Sequence, residues 1–108
     1  MGLVENLESM LAAGDDNALL RFSLGNAYLE QQPARAAEHL ARAVELDPEY
    51  SAAWKIYAKA LTSAGREEQA KRAYRQGIEA AMRNGDIQAA KEMRVFLRRL
   101  ERQSDNSA

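Results

Sequence analysis

Residues 24–48 read Leu24-Gly25-Asn26-Ala27-Tyr28-Leu29-Glu30-Gln31-Gln32-Pro33-Ala34-Arg35-Ala36-Ala37-Glu38-His39-Leu40-Ala41-Arg42-Ala43-Val44-Glu45-Leu46-Asp47-Pro48, and the same pattern of sizes returns one period later. A shift of 34 places Ala36 on Ala70, Leu40 on Tyr74, Ala43 on Gly77 and Val44 on Ile78. A shift of 33 places Leu24 on Tyr57, Gly25 on Ala58, Ala27 on Ala60 and Tyr28 on Leu61. The one-residue difference reads as a deletion in the Gln32-Pro33 turn. A period near 34 that holds two helices is the signature of a helical solenoid.

Small residues fall where two helices would cross, at Gly25 with Ala36 and at Ala58 with Ala70, and bulky Tyr28, Leu40, Trp54 and Tyr74 surround them. Close crossings need small side chains, and large neighbours then fill the space. These residues resemble the tetratricopeptide repeat. The first unit carries Leu24-Gly25, Tyr28, Ala36, Leu40, Ala43 and Asp47-Pro48; the second carries Trp54, Tyr57-Ala58, Leu61, Gly65, Ala70, Tyr74 and Gly77. The resemblance covers roughly residues 18–83. Arg21 stands where the first unit should hold a large apolar residue, and Leu61 replaces the usual tyrosine. A third full unit is missing, because Gln88, Lys91 and Glu92 fall where it would want apolar residues.

Outward from this core, Leu3, Leu7 and Leu11 with Val4 and Met10 mark one stripe of a first helix, and Gly14 is placed to end it. Asp15 or Asp16 is the expected cap of the second helix. Pro33 suits the first turn of a third, where its missing N–H is no loss, and Asp47-Pro48 ends it. Asn84-Gly85-Asp86 reads as a stop followed by a start, and Ala89, Met93, Phe96, Leu97 and Leu100 give the last helix its inner face. The expected fold is all-α, an antiparallel α–α superhelix of about six helices forming one domain over residues 1–102. Within it, 3–13 is an N-terminal capping helix, 17–48 and 50–83 are two repeats, and 86–102 is a C-terminal capping helix. Residues 103–108 lack apolar anchors and are expected to form a disordered tail.

Composition narrows the function. The 108 residues contain no cysteine and one histidine, so disulfides, thiolate metal sites and histidine relays lack their parts. No glycine-rich phosphate loop and no His-Glu-x-x-His motif is present, and the acid pairs Asp15-Asp16 and Glu67-Glu68 stand at helix starts, where they complement the helix dipole. An enzyme, a metal, a cofactor and a small-molecule substrate are therefore not expected. The N-terminus has no basic leader or apolar signal core, and no run approaches the ~20 apolar residues of a membrane span. A cytoplasmic protein, complete from Met1, is the expectation.

The net charge of −1 disfavours nucleic acid as a partner, but its distribution is uneven. Residues 1–50 hold three basic against nine acidic side chains, a net of −6, and residues 51–108 hold twelve against seven, a net of +5. The chain is a dipole from end to end.

The resemblance implies a binding module for a peptide or protein segment, held in a concave groove lined by the first helix of each unit. By position the groove takes Phe22, Asn26 and Leu29, with Leu19, from unit one, and Lys55, Lys59 and Thr62, with Ser63, from unit two. Lys55 and Lys59 are one turn apart and Asn26 can donate hydrogen bonds, so an acidic or C-terminal segment would suit them. Phe22 and Leu29 would supply apolar area, or be core instead. The corresponding positions of a third unit, Ala89 and Met93, are apolar, which leaves a carboxylate clamp incomplete. A second reading is a self-associating scaffold stacked head to tail by charge. A third is RNA binding through Lys91, Arg94, Arg98, Arg99 and Arg102 of the last helix, a run that is otherwise a solvated face. The expected state is a monomer or a weak homo-oligomer.

Overall fold

A computed structural model describes residues 2–107, with side chains through Asp105. Met1 and Ala108 lie outside the described residues, and with Ala108 goes the last position of the expected tail. Among the described residues the order is α1 (Leu3–Ala12), α2 (Ala18–Tyr28), α3 (Pro33–Leu46), α4 (Ser51–Ser63), α5 (Glu67–Arg83) and α6 (Ile87–Ser107). The start and stop chemistry is mostly that read from the sequence. Pro33 opens α3, and Gly65 and Gly85 leave α4 and α5 with φ of 79° and 78°. There the following amides reach back to Leu61 and Ala81 carbonyls at 2.9 and 2.8 Å, a left-handed closure that glycine makes without strain. The cap of α2 is Asn17, whose side chain accepts the Leu20 N–H at 2.9 Å. Asp16 is drawn away by Arg21, whose Nε lies 2.8 Å from its carboxylate.

Each helix packs on the next in the chain, and α2 also touches α4, as α4 touches α6. These three form a front row on the inside of the curve, where neighbouring helices lie closest. Helices α3 and α5 stand behind them. The fold is thus an all-α stack of antiparallel helix pairs. A Cβ added at Gly25 would overlap the Leu40 side chain, and one at Gly77 would lie 2.6 Å from the Met93 sulfur and 2.7 Å from the Trp54 Cβ. Ala36, Ala58 and Ala70 are fully buried at the other crossings. Leu24, Leu40, Leu61 and Met93 fill the centre.

A further expectation is corrected. The last helix does not stop at Arg102: it continues to Ser107, through the stretch read as a disordered tail. Apolar anchors are indeed missing there, but the Ser104 hydroxyl lies 2.6 Å from the Lys71 ammonium of α5, a tertiary bond that ties the extra turns down. His39 lies in the middle of α3. It is buried, stacks on Tyr28 at 5.7 Å, and has Nδ1 3.0 Å from an Arg21 guanidinium nitrogen. Arg21 can only donate, so Nδ1 accepts and the neutral ring carries its proton on Nε2, facing Glu8 at 3.7 Å. Burial, then the Arg21 charge, holds the His39 pKa below its usual value. That pairing also explains how Arg21 occupies an apolar position: it bridges Asp16 and His39. Helix α1 buries no residue completely and rests on Val4, Leu7 and Leu11.

Candidate functional site

The front row presents one cavity of about 420 Å³, lined by Leu29, Glu30, Lys59, Thr62, Ser63, Tyr74 and Phe96. Its residues come from the end of α2, the last turns of α4, the middle of α5 and the middle of α6. Phe96 is the floor, stacked on Tyr74 with ring centroids 5.9 Å apart. Two cations stand over the same ring: Lys59 Nζ at 4.8 Å and the Arg99 guanidinium at 5.6 Å from its centroid. A cation over an aromatic face is attracted by the ring quadrupole, by about 0.5–1 kcal/mol at an exposed site. Among the described residues no carboxylate contacts the ammonium directly, although Glu92 lies near enough for its pKa to be lowered by that charge. Thr62 donates its hydroxyl to the Ala58 carbonyl at 2.8 Å. Burial pushes the Tyr74 phenol up to about 12, so it stays protonated.

Of the residues expected to line a groove, the structure brings Leu29, Lys59 and Thr62 together, with Ser63 beside them. The other three fall elsewhere. Phe22 is half-buried against Tyr50, ring centroids 5.0 Å apart, next to Ala43, Val44 and Ala53, so it is core. Lys55 is committed to Glu92 of α6 at 3.0 Å, and that contact lowers the Glu92 pKa. Glu92 thus answers both lysines, Lys55 by a direct hydrogen bond and Lys59 through its charge, while Lys59 also stands over the Phe96 ring. Asn26 is exposed on α2, outside the cavity lining. Leu19 is 65% exposed further along the same helix.

Phe96, Tyr74, Glu30 and Arg99 are the contributions that position in a repeat did not reveal. Phe96 was legible only as part of the apolar stripe of the last helix. A finer signal exists: α4 begins at Ser51 and α6 at Ile87, so Phe96 occupies the place of Ala60 one period earlier. The third front helix therefore exists. Ala89 and Met93 of α6 are buried in the core, while Glu92 and Phe96 meet α4.

A second cavity, about 330 Å³, opens behind, between α3 and α5, over Trp54 and Tyr57 with Glu45, Arg72 and Gln76 on its walls. Trp54 has already spent its N–H on the Pro48 carbonyl at 2.8 Å. No described helix is long and apolar enough to cross a membrane.

The comparisons with known proteins agree with this architecture. The tetratricopeptide repeat family model matches residues 27–93. A TPR repeat-containing protein of Pseudomonas aeruginosa is 56% identical over 101 residues, covering 93% of this chain and 96% of that one. The solution structure of a Bordetella parapertussis protein has a TM-score of 0.81 at 47% identity, over 95% of this chain and 90% of that chain. A tetratricopeptide repeat domain protein from Salinibacter ruber gives 0.72 at 25% identity, over 80% and 88% of the two chains. The two helix pairs, the small-residue crossings and these likenesses together establish that the chain belongs to the tetratricopeptide repeat family.

Proposed function

We propose that the chain is an interaction module that holds a short protein segment in the front cavity, placing an apolar side chain on Phe96 and an acidic group beside Lys59. The family membership supports protein binding in general. The finer reading rests on one observation, the ammonium of Lys59 fixed over the Phe96 ring at the mouth of an apolar cavity. Leu29 and Tyr74 offer apolar walls, Ser63 and Thr62 offer hydroxyls, and Lys59 with Arg99 makes the mouth positive. Such a site favours carboxylate-bearing segments, internal or C-terminal, and its small size implies roughly micromolar affinity. In this reading the groove is confined to the front cavity, with Phe22 packed against Tyr50 and Lys55 paired with Glu92.

The test is fluorescence polarisation against a panel of labelled peptides that vary the apolar residue and the sign of its neighbours. Acidic–apolar peptides should bind the wild type and lose about tenfold in affinity to Lys59→Glu, about 1.4 kcal/mol. Equal binding of acidic and basic peptides, or no effect of Lys59→Glu and Leu29→Ala, would move the site to another face.

A further inference from the structure

The two ends of the stack carry empty helix places that match each other. Sliding α1 by 33 residues lays Leu3, Val4, Leu7, Met10 and Leu11 on Ala36, Ala37, Leu40, Ala43 and Val44 of α3. In α3 all five are buried. The stripe Ala36-Leu40-Ala43 is the one that meets the helix in front, since Leu40 covers Gly25 of α2. Helix α1 is accordingly a back-row helix without its own front partner among the described residues. Of the residues that such a partner would cover, Leu3 is 67% and Met10 46% exposed, while Leu7 is half-buried.

The other end shows the complement. Sliding α4 by 36 residues lays Ala58 on Arg94 and Ser51 on Ile87. Gly25 and Ala58 are where a front helix meets the back helix that follows it. Among the described residues no helix lies behind the equivalent face of α6, and Arg94 is exposed and Ile87 46% exposed, with Lys91, Val95 and Arg98 alongside. The chain runs back, front, back, front, back, front. A second copy placed after α6 continues that alternation without a break, its α1 taking the vacant back place.

Charge selects the orientation. The half with α1 carries a net −6 and the half with α6 a net +5, so like ends repel and only head to tail attracts. Among the described residues, Glu5 and Asp15 at one end and Lys91, Arg94 and Arg98 at the other have no ion-pair partner within the chain. Arginine stems can lie on apolar surface while their heads reach acids at the rim.

We infer that the partner for these two end faces is a second copy of this chain, docked head to tail with its α1 against α6. Arg94 in place of a small residue prevents the tight crossing seen at Gly25, so the contact is loose and forms only at high concentration. A heterologous contact of this kind is open-ended, giving chains or a ring instead of a fixed dimer.

Sedimentation velocity on the full chain tests it. At millimolar protein and low salt the weight-average mass should rise by about twofold or more, and it should fall back as salt screens the ends. Met10→Lys blocks the head and Arg94→Glu/Arg98→Glu blocks the tail; all three sites are exposed, and an unchanged helical melt confirms the fold. Each variant alone should stay monomeric, and the mixture should form a dimer that grows no further, because only one competent face of each remains. A wild type that stays monomeric under these conditions overturns the inference. So does Met10→Lys assembling as the wild type does, or a mixture that remains monomeric. Peptide binding at Lys59 and Phe96 uses neither face and is read independently.

Discussion

The Lys59 ammonium lies 4.8 Å from the centre of the Phe96 ring, although the two residues belong to different helices and neither has a repeat counterpart of its own type. This contact joins the second repeat to the last helix and sets the floor and the charge of the front cavity. Its two members should separate in their effects. Phe96→Ala removes the floor and the Tyr74 stack, and should cost about 2 kcal/mol of stability for a half-buried aromatic. Lys59→Glu should cost under about 1 kcal/mol while removing affinity for acidic peptides. Urea unfolding of both variants, set beside peptide titration, checks the split.

Gly25→Ala measures how tightly the first helix pair crosses. Alanine improves helix propensity by about 1 kcal/mol, yet its methyl group would overlap Leu40 in a core that cannot open without loss elsewhere. A net loss of about 1–2 kcal/mol in chemical denaturation is expected. A gain in stability would show that α2 and α3 can move apart freely.

Acid should weaken the α1–α2–α3 junction through His39. The groups facing the ring are Arg21, Arg35, Glu8 and Glu38, and the folded pKa is lowered by burial and by Arg21. A base whose folded pKa lies below its unfolded value of about 6.5 binds more protons unfolded, so stability rises with pH there. Its contribution is complete above that value and is lost as pH falls through it toward the folded pKa. Melting temperature followed across pH 6.5 should fall on the acid side in the wild type, and His39→Gln should flatten that part of the curve. An unchanged slope would show that His39 does not carry the fall; Asp16, whose pKa is lowered by Arg21 from 3.8, contributes only at pH values below that.

Truncation after Asn84 removes α6 and with it the burial of Met93, Leu100 and Phe96. Gly77 would then face a void where Met93 sat. The shortened chain should melt at a much lower temperature or aggregate, as read by circular dichroism and light scattering. A helical melt equal to that of the full chain would mean that two pairs suffice.

The sequence by itself determined the architecture. Helix periodicity, the glycines at 14, 65 and 85, Pro33, and the paired positions Gly25/Ala58 and Ala36/Ala70 are local or periodic signals, readable without coordinates. They placed the helices, the repeat and most of the core. Tertiary structure alone decided which side chains line the front cavity. Whether Lys55 is a free cation depends on Glu92, 37 residues away on a helix with no obvious repeat grammar. Phe22 became core because Tyr50 covers it, and Phe96 became a cavity floor because α6 lies beside α4. The stretch after Arg102 became helical because Lys71 reaches Ser104. These outcomes turn on which side chains meet across helices, and a one-dimensional pattern fixes the face a residue occupies without fixing its neighbour.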